Sequence, residues 1–218
     1  MKERPILFSG EMVRALLREE NPKTQTRRLV KRTDSGRVKA IGSARNWHLD
    51  DPCAVLACPY GQPGDRLWVR ENYRLLAKMD CVSPGNAVDS TRWFEADGMP
   101  PVAFQTYGKI RPSIHMPRWA SRITLEVGSV RVERLQDISE EDALAEGIFY
   151  QKPTAEDIKD GATDGVYIVP GLTQPLGQPM WAPTAALAYR FLWESINGPA
   201  SWDANPWVWV VTFRRINP

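Results

Sequence analysis

Histidine and cysteine are scarce in this chain, with two His and three Cys among 218 residues. Cys53, Cys58 and Cys81 do not make the disulfide framework of a small secreted domain, so a reducing compartment is expected. Cys53 and Cys58 lie five apart, with His48 five before Cys53, which is not the tight Cys-x2-Cys knuckle of a zinc site. No metal and no cofactor are therefore expected. No apolar run is long enough to span a bilayer and no signal peptide opens the chain, so the expected location is cytoplasmic, with no membrane partner. A strong excess of either sign of charge is also missing. A net charge of +2 is too small to argue for nucleic acid by itself. The sequence also lacks an internal repeat, a dinucleotide fingerprint, a Walker loop and a Ser/His/Asp signature.

The remainder is globular in balance, 43% hydrophobic and 25% charged, and its length fits one domain over 1–218. Nine Trp offer flat apolar faces, and 18 Pro with 15 Gly imply many turns and long loops. Positive charge is clustered in Arg27, Arg28, Lys31 and Arg32, and again in Arg111, Arg118, Arg122, Arg131 and Arg134. Such clusters serve equally as phosphate contacts or as a solvated face.

Local pattern supplies the elements. Ile6–Phe8 predicts a strand, and Ser9 caps a helix over about Glu11–Glu20 that Asn21-Pro22 stops. Lys23–Val30 reads as a loop entering a strand. A strand over Arg66–Tyr73 places Leu67, Val69, Glu71 and Tyr73 on one face. The next runs from Ile123, with a bulge predicted at Gly128 where the apolar phase changes. Ser139 to Asp142 has the form of a capping box on a helix through Glu146, with Gly147 at its end. A helix from Thr184 to about Ile196 offers Leu187, Phe191, Trp193 and Ile196 for burial. Trp207–Ile216 is apolar on both faces and predicts a central strand. Residues of about 32–63, 75–120 and 148–183 read as loop insertions. The fold class expected is α+β, a mixed, barrel-like sheet with two to three helices.

Three places could carry chemistry. Lys23-x-x-Thr26-x-Arg28 combines an amine, a hydroxyl and a guanidinium on an extended segment, although the same residues also make an ordinary surface strand. Glu146 stands in the last turn of a short helix, where the helix dipole disfavours a negative charge. It is either a solvated glutamate or a carboxyl that moves protons near neutrality. Glu71 faces inward by strand phase, and either binds a ligand or pairs with Arg28 or Arg70. His115, in a proline-bounded loop, could reach a ligand.

Taken in order, these segments resemble the ASCH domain, a PUA-like barrel. Asn21-Pro-Lys-Thr-Gln-Thr-Arg-Arg28 is similar to the Gly-x-Lys-Thr-x-Thr-x-Arg segment after the first helix of that family, with Asn21-Pro22 in place of the glycine and its neighbour. Pro63–Val69, Ile123–Leu135, Leu135–Gly147 and Trp207–Phe213 resemble its following strand, strand, helix and closing strand. These blocks cover about half the chain. The Trp-Val-Arg-Glu and His-Met-Pro-Arg-Trp segments resemble members carried by bacteriophages and prophages.

Small bacterial members remove the acetyl group of N4-acetylcytidine with a Lys, a Thr three residues on and a helical Glu. The resemblance implies these roles for Lys23, Thr26 and Glu146, with Glu71 lacking a counterpart. It implies an amidohydrolase on an N4-acylated cytidine or similar nucleoside, with Arg28 or backbone N–H groups holding the oxyanion. The alternative implied is an RNA-binding module or single-strand ribonuclease. There Arg27, Arg28, Lys31 and Arg118 contact phosphates, while Trp68, Trp93 or Trp119 stack on unpaired bases.

Overall fold

The computed structural model describes residues 1–31, 37–39, 46–87, 91–98, 107–159 and 163–216; Arg32 of the basic run lies outside them. The fold is mixed α+β. The chain runs β1 (Glu3–Leu7), α1 (Gly10–Leu17), β2 (Gln25–Leu29), β3 (Val38–Lys39), β4 (Asn46–Trp47), β5 (Arg66–Arg70), β6 (Tyr73–Leu75) and β7 (Arg92–Phe94). It continues with β8 (Thr124–Arg134), α2 (Glu140–Ala145), β9 (Phe149–Gln151), α3 (Ala155–Lys159), β10 (Val166–Thr173), β11 (Pro179–Ala182), α4 (Ala185–Asn197) and β12 (Trp207–Ile216). Among the described residues four α-helices stand where two to three were expected. None among the described residues is long and apolar enough to cross a membrane.

The main sheet has the order β1-β5-β8-β12-β2. β1 pairs parallel with β5, and the other pairings are antiparallel. β12 lies between β8 and β2, which explains why Val208, Trp209, Val210 and Val211 are all buried. The bulge falls where the sequence phase changes. Val127 pairs with Phe213 and Ser129 with Thr212, leaving Gly128 as the extra residue. The outer strands β1 and β2 approach each other, since Arg28 Nη2 on β2 donates to Leu7 O on β1 at 2.6 Å. Pro5, which has no N–H to give to a ladder, sits on the outer strand β1.

The helices start where short polar side chains cap them. Ser9 Oγ accepts from Met12 N, Ser139 Oγ from Asp142 N and Thr184 Oγ1 from Leu187 N. α1 ends three residues earlier than expected, because Arg18 turns extended and donates to Gly147 O at 2.9 Å. α4 buries Ala185, Ala188, Tyr189, Leu192 and Trp193, while Ile196, expected inside, is 64% exposed.

The three predicted insertions carry more structure than loops. Residues 148–183 hold α3 and an antiparallel sheet of order β11-β10-β9. The 75–120 stretch contains β7, which pairs with β6 over a small second core of Tyr73, Leu75, Ala87, Phe94, Met116 and Ala120. The first stretch contains the β3–β4 pair and a 3-10 turn over Pro52–Ala57. The strand expected over Arg66–Tyr73 breaks after Arg70. There the chain leaves the main sheet for β7, as Asn72 O accepts from Glu95 N and Asn72 Oδ1 from Ser113 N.

Candidate functional site

The site is built where the end of α1, the start of β2 and the end of α2 meet. Lys23 N donates to Ala15 O and Thr24 N to Ala145 O, both at 2.9 Å, so this segment is stitched to both helices. Asn21, at φ 47, makes the turn that α1 needs to hand over to it. Gly147 lets the three pieces close. Its φ is +103, and a Cβ there would stand 3.0 Å from Ala15 Cβ and 3.6 Å from Lys23 Cβ.

Lys23 and Glu146 are each only 3% exposed. Lys23 Nζ donates to Glu146 Oε2 at 2.7 Å and to Glu146 O at 2.5 Å. The lysine therefore satisfies a carbonyl at the C-terminal end of α2 and offsets the carboxylate that its dipole disfavours. Burial holds Lys23 below the ordinary lysine range; Glu146 opposes that shift, and the nearby charges of Arg28 and Arg27 reinforce it.

Arg27 lies beside this pair. Its Nη2 donates to Glu133 Oε1 at 2.5 Å and Asp142 Oδ2 at 2.7 Å, and its Nη1 stands 3.5 Å from Glu146 Oε1. Burial works against the Arg27 charge, but Glu146 and the two other carboxylates outweigh it and raise its pKa. Arg131 completes the network. It donates to Asp142, to Glu133 Oε2 at 2.8 Å and to Gln25 Oε1 at 3.2 Å.

A pocket of about 330 Å³ opens over these groups, lined among others by Lys23, Thr26, Arg27, Arg28, Glu146 and Tyr189. Glu146 Oε1 and Arg27 Nη1 are buried and make no hydrogen bond, facing each other only as an ion pair at 3.5 Å. The Thr26 and Tyr189 hydroxyls line the same pocket without a hydrogen bond among the described residues. Tyr189 lies under Arg27, with the guanidinium carbon 5.9 Å from its ring centre. Burial, reinforced by the Glu146 charge, drives its phenol well above the ordinary range, so it is a neutral donor. A loosely paired buried carboxylate and guanidinium beside two hydroxyls that lack hydrogen-bond partners mark a place for a polar ligand.

The sequence-predicted residues divide into two sets. Lys23, Thr26, Arg27, Arg28 and Glu146 come together at the pocket; Glu71, Trp68, His115 and Arg118 do not line it. Glu71 is buried, as its phase predicts. Its partner is neither Arg28 nor Arg70 but Arg122, which donates to both of its oxygens at 3.0 Å and also to Asp97. Burial still leaves the Glu71 carboxyl above its ordinary range, against the pull of Arg122. Trp68 is buried, with Arg70 stacked 4.6 Å from its ring, so that ring is not open to a base. Arg118 pairs with Glu3 at 3.0 Å, and His115 is exposed beside a separate cavity with Asp80 and Cys81. Trp93 Nε1 is tied to Gly98 O at 2.9 Å.

Sequence reasoning missed Tyr189, Glu133 and Asp142. Tyr189 shares the helical spacing of Ala185, Ala188 and Leu192, which is that of a core. Asp142 reads as part of a cap. Only Glu133, alternating with Val130 and Val132 on β8, left a trace. Comparison of the chain with protein families, with curated proteins and with solved structures finds no match.

Proposed function

We propose that this chain is an ASCH-type, PUA-like protein whose pocket hydrolyses the amide of a nucleoside acylated on an exocyclic amine, N4-acetylcytidine being the reference substrate. The observation that carries the reading is the buried Lys23–Glu146 pair set against an unengaged Thr26 hydroxyl in one pocket. The approach of the outer strands of the five-stranded sheet supports the barrel-like assignment.

In this reading Lys23, whose positive charge burial disfavours, takes in its amine form the Thr26 Oγ proton as Oγ bonds to the acyl carbon. The oxyanion accepts from Arg27 Nη1, which makes no hydrogen bond and stands 3.5 Å from Glu146 Oε1, and from the Tyr189 phenol on the same pocket. The proton passes along the 2.7 Å Lys23–Glu146 hydrogen bond and from the carboxyl to the leaving nitrogen as the C–N bond breaks. Water then cleaves the threonine ester, releasing the acid and restoring the hydroxyl. A water nucleophile activated by Lys23 or Glu146 gives the same products without the ester. The test is chromatographic: cytidine should form from N4-acetylcytidine with wild type and not with Lys23→Ala. No product at high enzyme concentration would sink the proposal and leave the RNA-binding alternative.

A further inference from the structure

The pocket does not end at its own rim. A second cavity of about 580 Å³ adjoins it, and Leu29, Lys31 and Tyr60 line both. It opens between the two outer strands of the main sheet, with Pro5 of β1 and Leu29 of β2 on its walls and Trp209 among its apolar lining. Both volumes fall in the range of roughly 300–1,000 Å³ typical of small-molecule sites.

The cations around the two cavities are of two kinds. Lys23 and Arg27 are matched by Glu146, Glu133 and Asp142. Arg28, Lys31 and Arg4 form no salt bridge among the described residues. Arg28 gives one N–H to Leu7 O and Arg4 one to Pro59 O, at 2.6 and 3.1 Å, and the Nε of each is buried without a partner. Asp65 feels the Arg4 charge, but its oxygens accept from the main-chain N–H groups of Lys2 and Gln62. Among the described residues the only acid on either lining is Glu146, which Lys23 already holds. Lys31 lines both cavities, Arg28 the first and Arg4 the second, and a mostly apolar pair of cavities flanked by cations without a salt bridge among the described residues, two of them guanidinium forks, matches a phosphate.

We infer that the ligand of the first pocket is a nucleotide rather than a free nucleoside, with its phosphate held at the shared wall by Lys31, Arg28 and Arg4. This rests on the nucleoside reading above and narrows its substrate class. The base lies over Lys23 and Glu146, and the phosphate leads toward the second cavity.

The test is calorimetric titration of the full chain with cytidine, cytidine 5′-monophosphate, cytidine 3′-monophosphate and the dinucleotide cytidylyl-cytidine. At least one phosphorylated probe should bind ten-fold or more tighter than cytidine, and Lys31→Gln and Arg4→Gln should each remove most of that gain. Its affinity should fall with salt at a slope of about 0.7 per phosphate engaged, whereas cytidine should be insensitive. A terminal phosphate is indicated if a monophosphate carries the gain, a bridging one if only the dinucleotide does. Equal binding of all four probes, or a gain that survives both substitutions, would overturn the inference. Hydrolysis of N4-acetylcytidine with no phosphate preference overturns it alone. A phosphate preference without hydrolysis overturns the reaction alone, and failure of every probe to bind overturns both. Melting curves of the two variants verify that each remains folded.

Discussion

Lys23 and Glu146 stand 123 residues apart, and each would be costly to bury without the other. Lys23→Ala strands the Glu146 carboxylate, so a stability loss of about 3–5 kcal/mol in urea titration should accompany its loss of activity. Thr26→Ala avoids that confusion. It should melt close to wild type yet lose about 10³-fold or more in kcat; wild-type turnover in this variant would exclude a threonine nucleophile. Tyr189→Phe should lower kcat about 100-fold with little change in KM, since a transition-state donor is lost but the ring remains. Because burial lowers the Lys23 pKa, the amine is freed below the ordinary value of 10.5, and kcat/KM should rise with pH along a limb centred under it. A limb at or above 10.5 would count against Lys23 as the base. At this scale the Lys-Thr-Glu set was legible in sequence because a motif and a misplaced helix-end charge both drew attention to it. The carboxylates that hold Arg27 were not legible, since Glu133 and Asp142 reach it from 106 and 115 residues away. The inward phase of Glu71 was legible, but its partner was not.

Among the elements, those specified by local rules were readable: the three caps, the Gly128 bulge and the all-apolar β12. Residues 148–183 were not, because Pro170 and Gly171, which read as loop, lie inside β10. There its pairing with β11 shifts register between Ile168 and Thr173, and Gly171 has a φ of +74. Gly147 is the joint between α1, α2 and the Lys23 segment. Gly147→Ala forces an L residue to φ +103 against Ala15, and should cost about 1–3 kcal/mol of stability. Thermal melts give that number. Turnover should fall with it, because α1 and Lys23 must shift together.

For the molecule as a whole, the clearest pH signal belongs to a thiol outside the site. Burial pushes Cys58 up to about 11 from an ordinary 9.0. The folded state therefore keeps a proton that the unfolded chain has released, and the contribution is complete below pH 9 and lost as pH rises through about 11. Roughly 2–3 kcal/mol should disappear across that window in denaturant titrations, and Cys58→Ala should flatten the slope. The overall α+β class was readable from the sequence; which strands form the two margins, and the long-range bond from Arg28 that brings them near, were not. That near meeting has a consequence for solubility. An outer strand with free amides and carbonyls is a template onto which a second chain can add, growing toward aggregates. Here a proline interrupts the row of donors on one margin, and a guanidinium from the other margin occupies a carbonyl that an added strand would need. A variant that removes Arg28 should therefore precipitate more readily on storage, quite apart from any effect on ligands.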